Sequence, residues 1–151
     1  MEKQMQQVRV FHRHIGAGES DTPRMLSTQS DAAGQLAATL RGVIADWNSR
    51  DRHPDQLVER SLMSIEELAE WLEAHVENDL TAVADAWGDR CYLLMGDAIE
   101  TGLPVEQIFD AVHESNMTKA RQKTRRGKAL KEDGFATPGI DLGTFCQDST
   151  D

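Results

Sequence analysis

Apolar residues recur along this chain at helical spacing. Val8, Phe11 and Ile15 stand at i, i+3 and i+7, which predicts a short amphipathic helix. Residues 16–30 (GAGESDTPRMLSTQS) are polar, with Gly, Pro and Ser, and read as a loop. Asp31 is placed to cap a second helix, whose apolar positions include Leu36, Leu40, Val43, Ile44 and Trp47. Residues 48–54 (NSRDRHP) break it. A third helix starts near Asp55. Ser64 followed by Glu67 is a capping-box pattern that marks an interruption, after which the stripe Ile65, Leu68, Leu72, Val76 continues. Asn78-Asp79 reads as a turn. Residues 80–101 read as a fourth helix, ended by Gly102 and Pro104. Val105, Ile108, Phe109 and Val112 mark a fifth, running to about Lys119. The rest, 119–151, reads as an extended basic tail wrapping a site or a neighbour. There is no β-hairpin signal, internal repeat or heptad array. The fold class is all-α, an antiparallel helical bundle.

Charge changes this picture from a plain bundle to one with two poles. Residues 115–131 carry seven Lys or Arg and no acid, whereas residues 66–89 carry eight Asp or Glu and no Lys or Arg. The chain as a whole has a net charge of −10. Carboxylates suit hard cations such as Mg²⁺, and a basic segment suits phosphates. Together they suggest a metal-assisted enzyme acting on a phosphorylated small molecule. The acidic balance argues against a general nucleic-acid binder. At 151 residues the chain reads as a single domain over 1–151. Its hydrophobic fraction is 39% and its aromatic fraction 5%, a modest core of the kind often completed by oligomerisation. Cys91 and Cys146 are far apart and form no CxxC, as expected of reduced thiols in the cytoplasm. No apolar run reaches the roughly 18 residues of a membrane span, and the polar N-terminus lacks a signal-peptide core.

The acids are arranged, not only abundant. At 100° per residue, Ile65, Leu68, Leu72 and Val76 cluster on one side of their helix, while Glu67 and Glu70 point away from it, one turn apart. Both can reach one ion. Glu66 and Glu73 lie nearer the edge of the same acidic face. On the following helix Asp85, Asp89, Tyr92 and Gly96 share a face. Two antiparallel helices would set these acids opposite each other, and converging carboxylates repel unless a cation sits among them. The bland alternative is a solvated acidic face. No Walker A loop, G-x-S-x-G or H-E-x-x-H competes with this reading. His12, His14, His53, His75 and His113 are scattered, with solvated or packing roles.

Three stretches, in order, resemble a known superfamily. Glu66-Glu67-Leu-Ala-Glu70, a helix ending its acidic turn at Gly88-Asp89, and Ser115-Asn116-Met117-Thr118-Lys119 are similar to the all-α nucleotide pyrophosphohydrolases. Within that superfamily the chain resembles the MazG-like branch related to the dimeric dUTPases. Residues 11–17 (FHRHIGA) and the tail pattern Gly127-Lys128-Ala-Leu-Lys131, with Gly134 and Pro138, add to the resemblance. It covers roughly residues 8–17 and 57–142. The stretch from Thr22 to Pro54 has no counterpart, so the helix around 31–47 reads as an insertion. One departure stands out. The second acidic pair of the family is Glu-x-x-Asp, and Ala86 holds the Glu position here, with Asp85 beside it and Asp89 in place.

The resemblance implies cleavage of a (deoxy)nucleoside triphosphate, such as dUTP or dGTP, between the α- and β-phosphates, giving monophosphate and pyrophosphate. It implies Mg²⁺ (or Mn²⁺) held by Glu67, Glu70 and Asp89, with Asp85 assisting. Glu66, then Glu67, would activate the water. Asn116 and Lys119 would contact sugar or phosphate, and Arg125, Arg126, Lys128 and Lys131 would hold the outer phosphates. Phe11, His14 and Trp87 are the candidates for a base pocket. A homodimer or a dimer of dimers is expected. The alternatives are a phosphoribosyl-ATP pyrophosphohydrolase, or a catalytically inactive helical module that binds nucleotides or proteins.

Overall fold

A computed structural model of the chain describes residues 1–28, 31–51, 53–141 and 143. Positions 29, 30 and 52 of the inter-helix loops, the end of the tail and Cys146 lie outside the described residues. Five helices account for the described fold: α1 (Glu2–Ile15), α2 (Ala32–Asn48), α3 (Gln56–Glu77), α4 (Leu80–Thr101) and α5 (Val105–Met117). The all-α class read from the sequence is correct. The helices fall into two compact units, Thr22–Thr101 and the pairing of Met1–Asp21 with the segment after Thr101.

In the unit spanning Thr22–Thr101, local chemistry fixes the boundaries. The Asp55 side chain accepts a hydrogen bond from Val58 N at 3.0 Å and starts α3. Asn78 ends it in the left-handed region, with φ 58°. Asp79 Oδ1 then accepts from Thr81 N and Ala82 N at 2.9 and 3.0 Å, so α4 starts at once. These two residues make a turn tight enough to fold α4 back along α3. Arg60 shows the antiparallel result: near the start of α3, it pairs with Asp97 and Glu100 at the end of α4 and donates to Leu93 O. Gly96 makes room for this clamp, since a Cβ there would come within 2.8 Å of Arg60 Nη2.

The centre of this unit is built from alanines. Ala37 on α2, Ala69 and Ala74 on α3 and Ala86 on α4 are buried, and Ala69 is fully so. Small side chains let helices approach closely. Ile65, Leu68 and Leu72 are half-buried, and Val76, the last position of the expected stripe, is exposed. The expected interruption at Ser64 does not exist. α3 runs unbroken through it, because the Ser64 hydroxyl donates to Arg60 O one turn back, at 3.1 Å.

The other unit pairs α1 with α5. Lys3 and Gln7 of α1 both donate to Asp110 of α5, each at 2.7 Å. Gly16, with φ 73°, closes α1 in the left-handed conformation. The segment after α5 differs from the extended tail expected. It forms a short antiparallel hairpin of β1 (Thr124–Arg125) and β2 (Lys128–Ala129), turned by Arg126 and Gly127 with φ 52° and 75°. Two positive φ values in succession define the hairpin turn that matches strand twist. Asn, Asp or Gly usually holds the first position of such a turn, and here an arginine does, so the sequence carries no hairpin signal.

Candidate active site

Glu66, Glu67 and Glu70 lie on α3, and Asp85 and Asp89 on α4. The close antiparallel packing of these helices brings all five into one electrostatic neighbourhood. Glu67 is its centre. Its Oε2 is enclosed and has no hydrogen-bond partner. Burial, followed by the charges of Glu70, Asp89, Glu66 and Asp85, pushes the Glu67 carboxyl above its ordinary value of 4.5. A buried, unpartnered carboxylate oxygen in the field of four other acids fits a hard cation: every donor is oxygen and the local charge is strongly negative. Among the described residues, no three His, Cys, Asp or Glu side chains stand together at ligating distance.

The acidic face also carries a residue absent from the expected site. Arg41, the only basic residue of α2, lies over the acidic face of α3. Its Nε and Nη2 donate to the two carboxylate oxygens of Glu73, at 3.0 and 2.7 Å. Nη1 is 3.5 Å from Glu66, and Nη2 is 3.5 Å from Glu70. Hydrogen bonding to Arg41 holds the Glu73 carboxyl below its ordinary value. A signal existed for Glu73. Glu66, Glu70 and Glu73 repeat at i, i+4 and i+7, whereas nothing in the sequence ties Arg41, the one basic residue of α2, to them.

Ala86 is 3% exposed. The family position normally filled by Glu is therefore an interior one here and offers no oxygen. Asp85, its neighbour, is exposed yet still contributes to the field at Glu67.

The expected phosphate contacts lie in the other unit. Asn116 is on the last turn of α5, and Lys119 Nζ donates to its Oδ1 at 2.6 Å. The same ammonium lies 5.7 Å from the Phe11 ring centroid. Phe11 stacks loosely on His14, whose Nε2 is 2.8 Å from Lys119 O. Arg125 and Lys128 face each other across the hairpin, Arg126 is in its turn, and Lys131 lies 4.4 Å from the Phe135 ring. Ser115 and Thr118, given no role from the sequence, are structural clasps. Ser115 Oγ donates to Ala136 O at 2.7 Å, and Ala136 N donates to Thr118 Oγ1 at 2.9 Å. Of the proposed base contacts, Trp87 is 48% exposed on α4.

Residues 47–116 match the family model for phosphoribosyl-ATP pyrophosphohydrolase. That family is part of the all-α nucleotide pyrophosphohydrolase superfamily. The matched segment covers just under half of the chain: the end of α2, all of α3 and α4, and α5 up to Asn116. Every candidate carboxylate falls inside it, and Arg41, Lys119 and the hairpin cations fall outside. No curated protein and no solved structure matches the chain. The superfamily match indicates a nucleotide pyrophosphohydrolase, of a family typically dependent on a divalent metal. No helix among the described residues is long and apolar enough to cross a membrane.

Proposed function

We propose that the protein is a metal-dependent nucleoside triphosphate pyrophosphohydrolase. It would cleave a (deoxy)nucleoside triphosphate, such as dUTP or dGTP, between the α- and β-phosphates, releasing monophosphate and pyrophosphate. The observation that carries this reading is the enclosed, unpartnered Glu67 oxygen, in the field of four acids within the segment that matches the superfamily.

Glu67, Glu70 and Asp89, with Asp85, would hold Mg²⁺ or Mn²⁺. When bound, such an ion neutralises the triphosphate and polarises the attacked phosphorus. Glu66 and Glu67 are the candidates for taking the proton from the attacking water. Glu66 is 49% exposed at its side chain and 3.5 Å from Arg41, which leaves one of its oxygens open to a water. Asn116, on the last turn of α5, and Lys119, just beyond its end, are proposed sugar or phosphate contacts. Arg125, Arg126, Lys128 and Lys131 are proposed contacts to the outer phosphates, where charge-assisted hydrogen bonds favour a triphosphate over a monophosphate.

A second reading is favoured by the family match itself: phosphoribosyl-ATP as substrate, with the same bond broken. The chain is proposed to work as one functional domain, in the cytoplasm, as a homodimer or a dimer of dimers. Exposed Tyr92, Met95 and Ile99, at i, i+3 and i+7 on α4, support self-association. Pyrophosphate release measured across the common deoxynucleotides, ribonucleotides and phosphoribosyl-ATP, with Mg²⁺ and with chelator, separates the readings. Turnover of a deoxynucleoside triphosphate supports the first, and exclusive turnover of phosphoribosyl-ATP replaces it with the second.

A further inference from the structure

We infer that Arg41, anchored by Glu73, is a built-in counter-cation of the acidic face of α3 that competes with the divalent ion for Glu66 and Glu70. The inference rests on the metal-site reading above and adds a residue that lies outside the matched segment.

The geometry separates an anchor from two weaker contacts. The guanidinium fork is satisfied by both oxygens of Glu73, at 3.0 and 2.7 Å, which fixes its plane. Its distances to Glu66 and Glu70 are both 3.5 Å, too long for strong hydrogen bonds but short enough for attraction. Glu73 is not among the proposed metal ligands, so the arginine need not leave when an ion binds. It stays beside the site as a fixed positive charge. Three carboxylates on successive turns of one helix face repel one another, and Arg41 relieves this without metal. An ion entering at Glu67 and Glu70 must then work against the same charge. The three acids and Arg41 are 37–49% exposed at their side chains, so solvent screens this effect without abolishing it. A triphosphate, by contrast, is attracted to the charge that opposes the metal.

The two halves of the pair predict opposite shifts, which a mere strut between α2 and α3 would not give. The test is Mn²⁺ binding to the full chain without nucleotide, read by calorimetry and by the electron paramagnetic resonance of free Mn²⁺. Circular dichroism checks that each variant is folded. Arg41→Gln should bind Mn²⁺ about tenfold more tightly, as expected for loss of one nearby, partly screened charge. Glu73→Gln should bind it more weakly, because the freed guanidinium closes onto Glu66 and Glu70. Arg41→Lys keeps the charge and should stay near the wild-type affinity, a check that survives if Arg41→Gln fails to fold. Wild-type binding with unchanged affinity in both glutamine variants, or with both weakened, would overturn the inference and leave the metal reading intact. Mn²⁺ binding to none of the four proteins would overturn both.

Discussion

A carboxylate enclosed beside four others is unstable until something positive joins it, and Glu67 is in that position. The consequence can be measured without any substrate. Its pKa is raised in the folded state, so the unfolded chain loses this proton first as pH rises. Folding stability therefore falls between 4.5 and the raised value, and the deficit persists at neutral pH. Glu67→Gln removes the deficit. The metal-free variant should melt higher than wild type at pH 7, with the gain vanishing below pH 4.5, in calorimetric scans across pH. A lower melting temperature at pH 7 would show that the carboxylate is well accommodated as it stands. Glu73 has the opposite sign. Arg41 holds it below its ordinary value, so its contribution is present at neutral pH and lost as pH falls through that lowered value. Glu73→Gln should cost about 0.2–1 kcal/mol at pH 7, the range for a solvent-screened ion pair, and little in acid. Denaturant melts at the two pH values decide. Ala86 sharpens the role of its neighbour. Asp85→Ala should weaken the Mg²⁺ titration of activity strongly if Asp85 stands in for the absent glutamate. Ala86→Glu places a carboxylate in an interior position, so it should lower the metal-free melting temperature and recover part of it with Mg²⁺. An unchanged titration in Asp85→Ala would show that the site works without a fourth ligand.

The helices were legible because their ends are written in short-range chemistry. Asp55 caps, Asn78 and Asp79 turn, and Gly102 with Pro104 stops and restarts, all within three or four residues of the groups they serve. The same local logic misled at Ser64, where the hydroxyl found a carbonyl one turn back within a continuous helix. Arg41 was not legible, since its partners lie 25 to 32 residues away and only packing brings them together. Of the acid site, the residue types, their spacing and their grouping on α3 and α4 could be read. The enclosure of Glu67 could not, because burial depends on which helices pack against it. The hairpin was not legible for a local reason, an arginine at φ 52° in a turn that favours other residues. Gly127 carries the remaining strain of that turn, and Gly127→Ala should destabilise the hairpin by about 1 kcal/mol, the typical cost of a left-handed non-glycine residue. Trypsin should then cut faster at Arg125 and Arg126 than in wild type. If those cations contact the outer phosphates, a non-hydrolysable triphosphate with Mg²⁺ should slow that cleavage in the wild-type protein. Equal rates with and without the analogue would leave them as solubilising surface.

At the level of the whole molecule, an alanine-centred unit with large apolar residues left outside is a poor place for those residues to stay. Tyr92 and Ile99 are each 82% exposed on α4 and Leu57 is 76% exposed on α3, far more apolar surface than their helices need to show. Light scattering at micromolar concentration should report a dimer or a tetramer, and a monomer would remove the assembly from the account. The segregation of charge, net −10 overall with a basic stretch after α5, supports the proposal that the molecule binds a divalent cation and a polyanion. The most direct measurement of that claim is pyrophosphate release from a deoxynucleoside triphosphate by wild type, Glu67→Gln and Glu70→Gln, with Mg²⁺ and with chelator, alongside circular dichroism of each. The account predicts metal-dependent release by wild type and none by either variant, with helicity unchanged. Full activity in both variants, or release by wild type that survives the chelator, would contradict it.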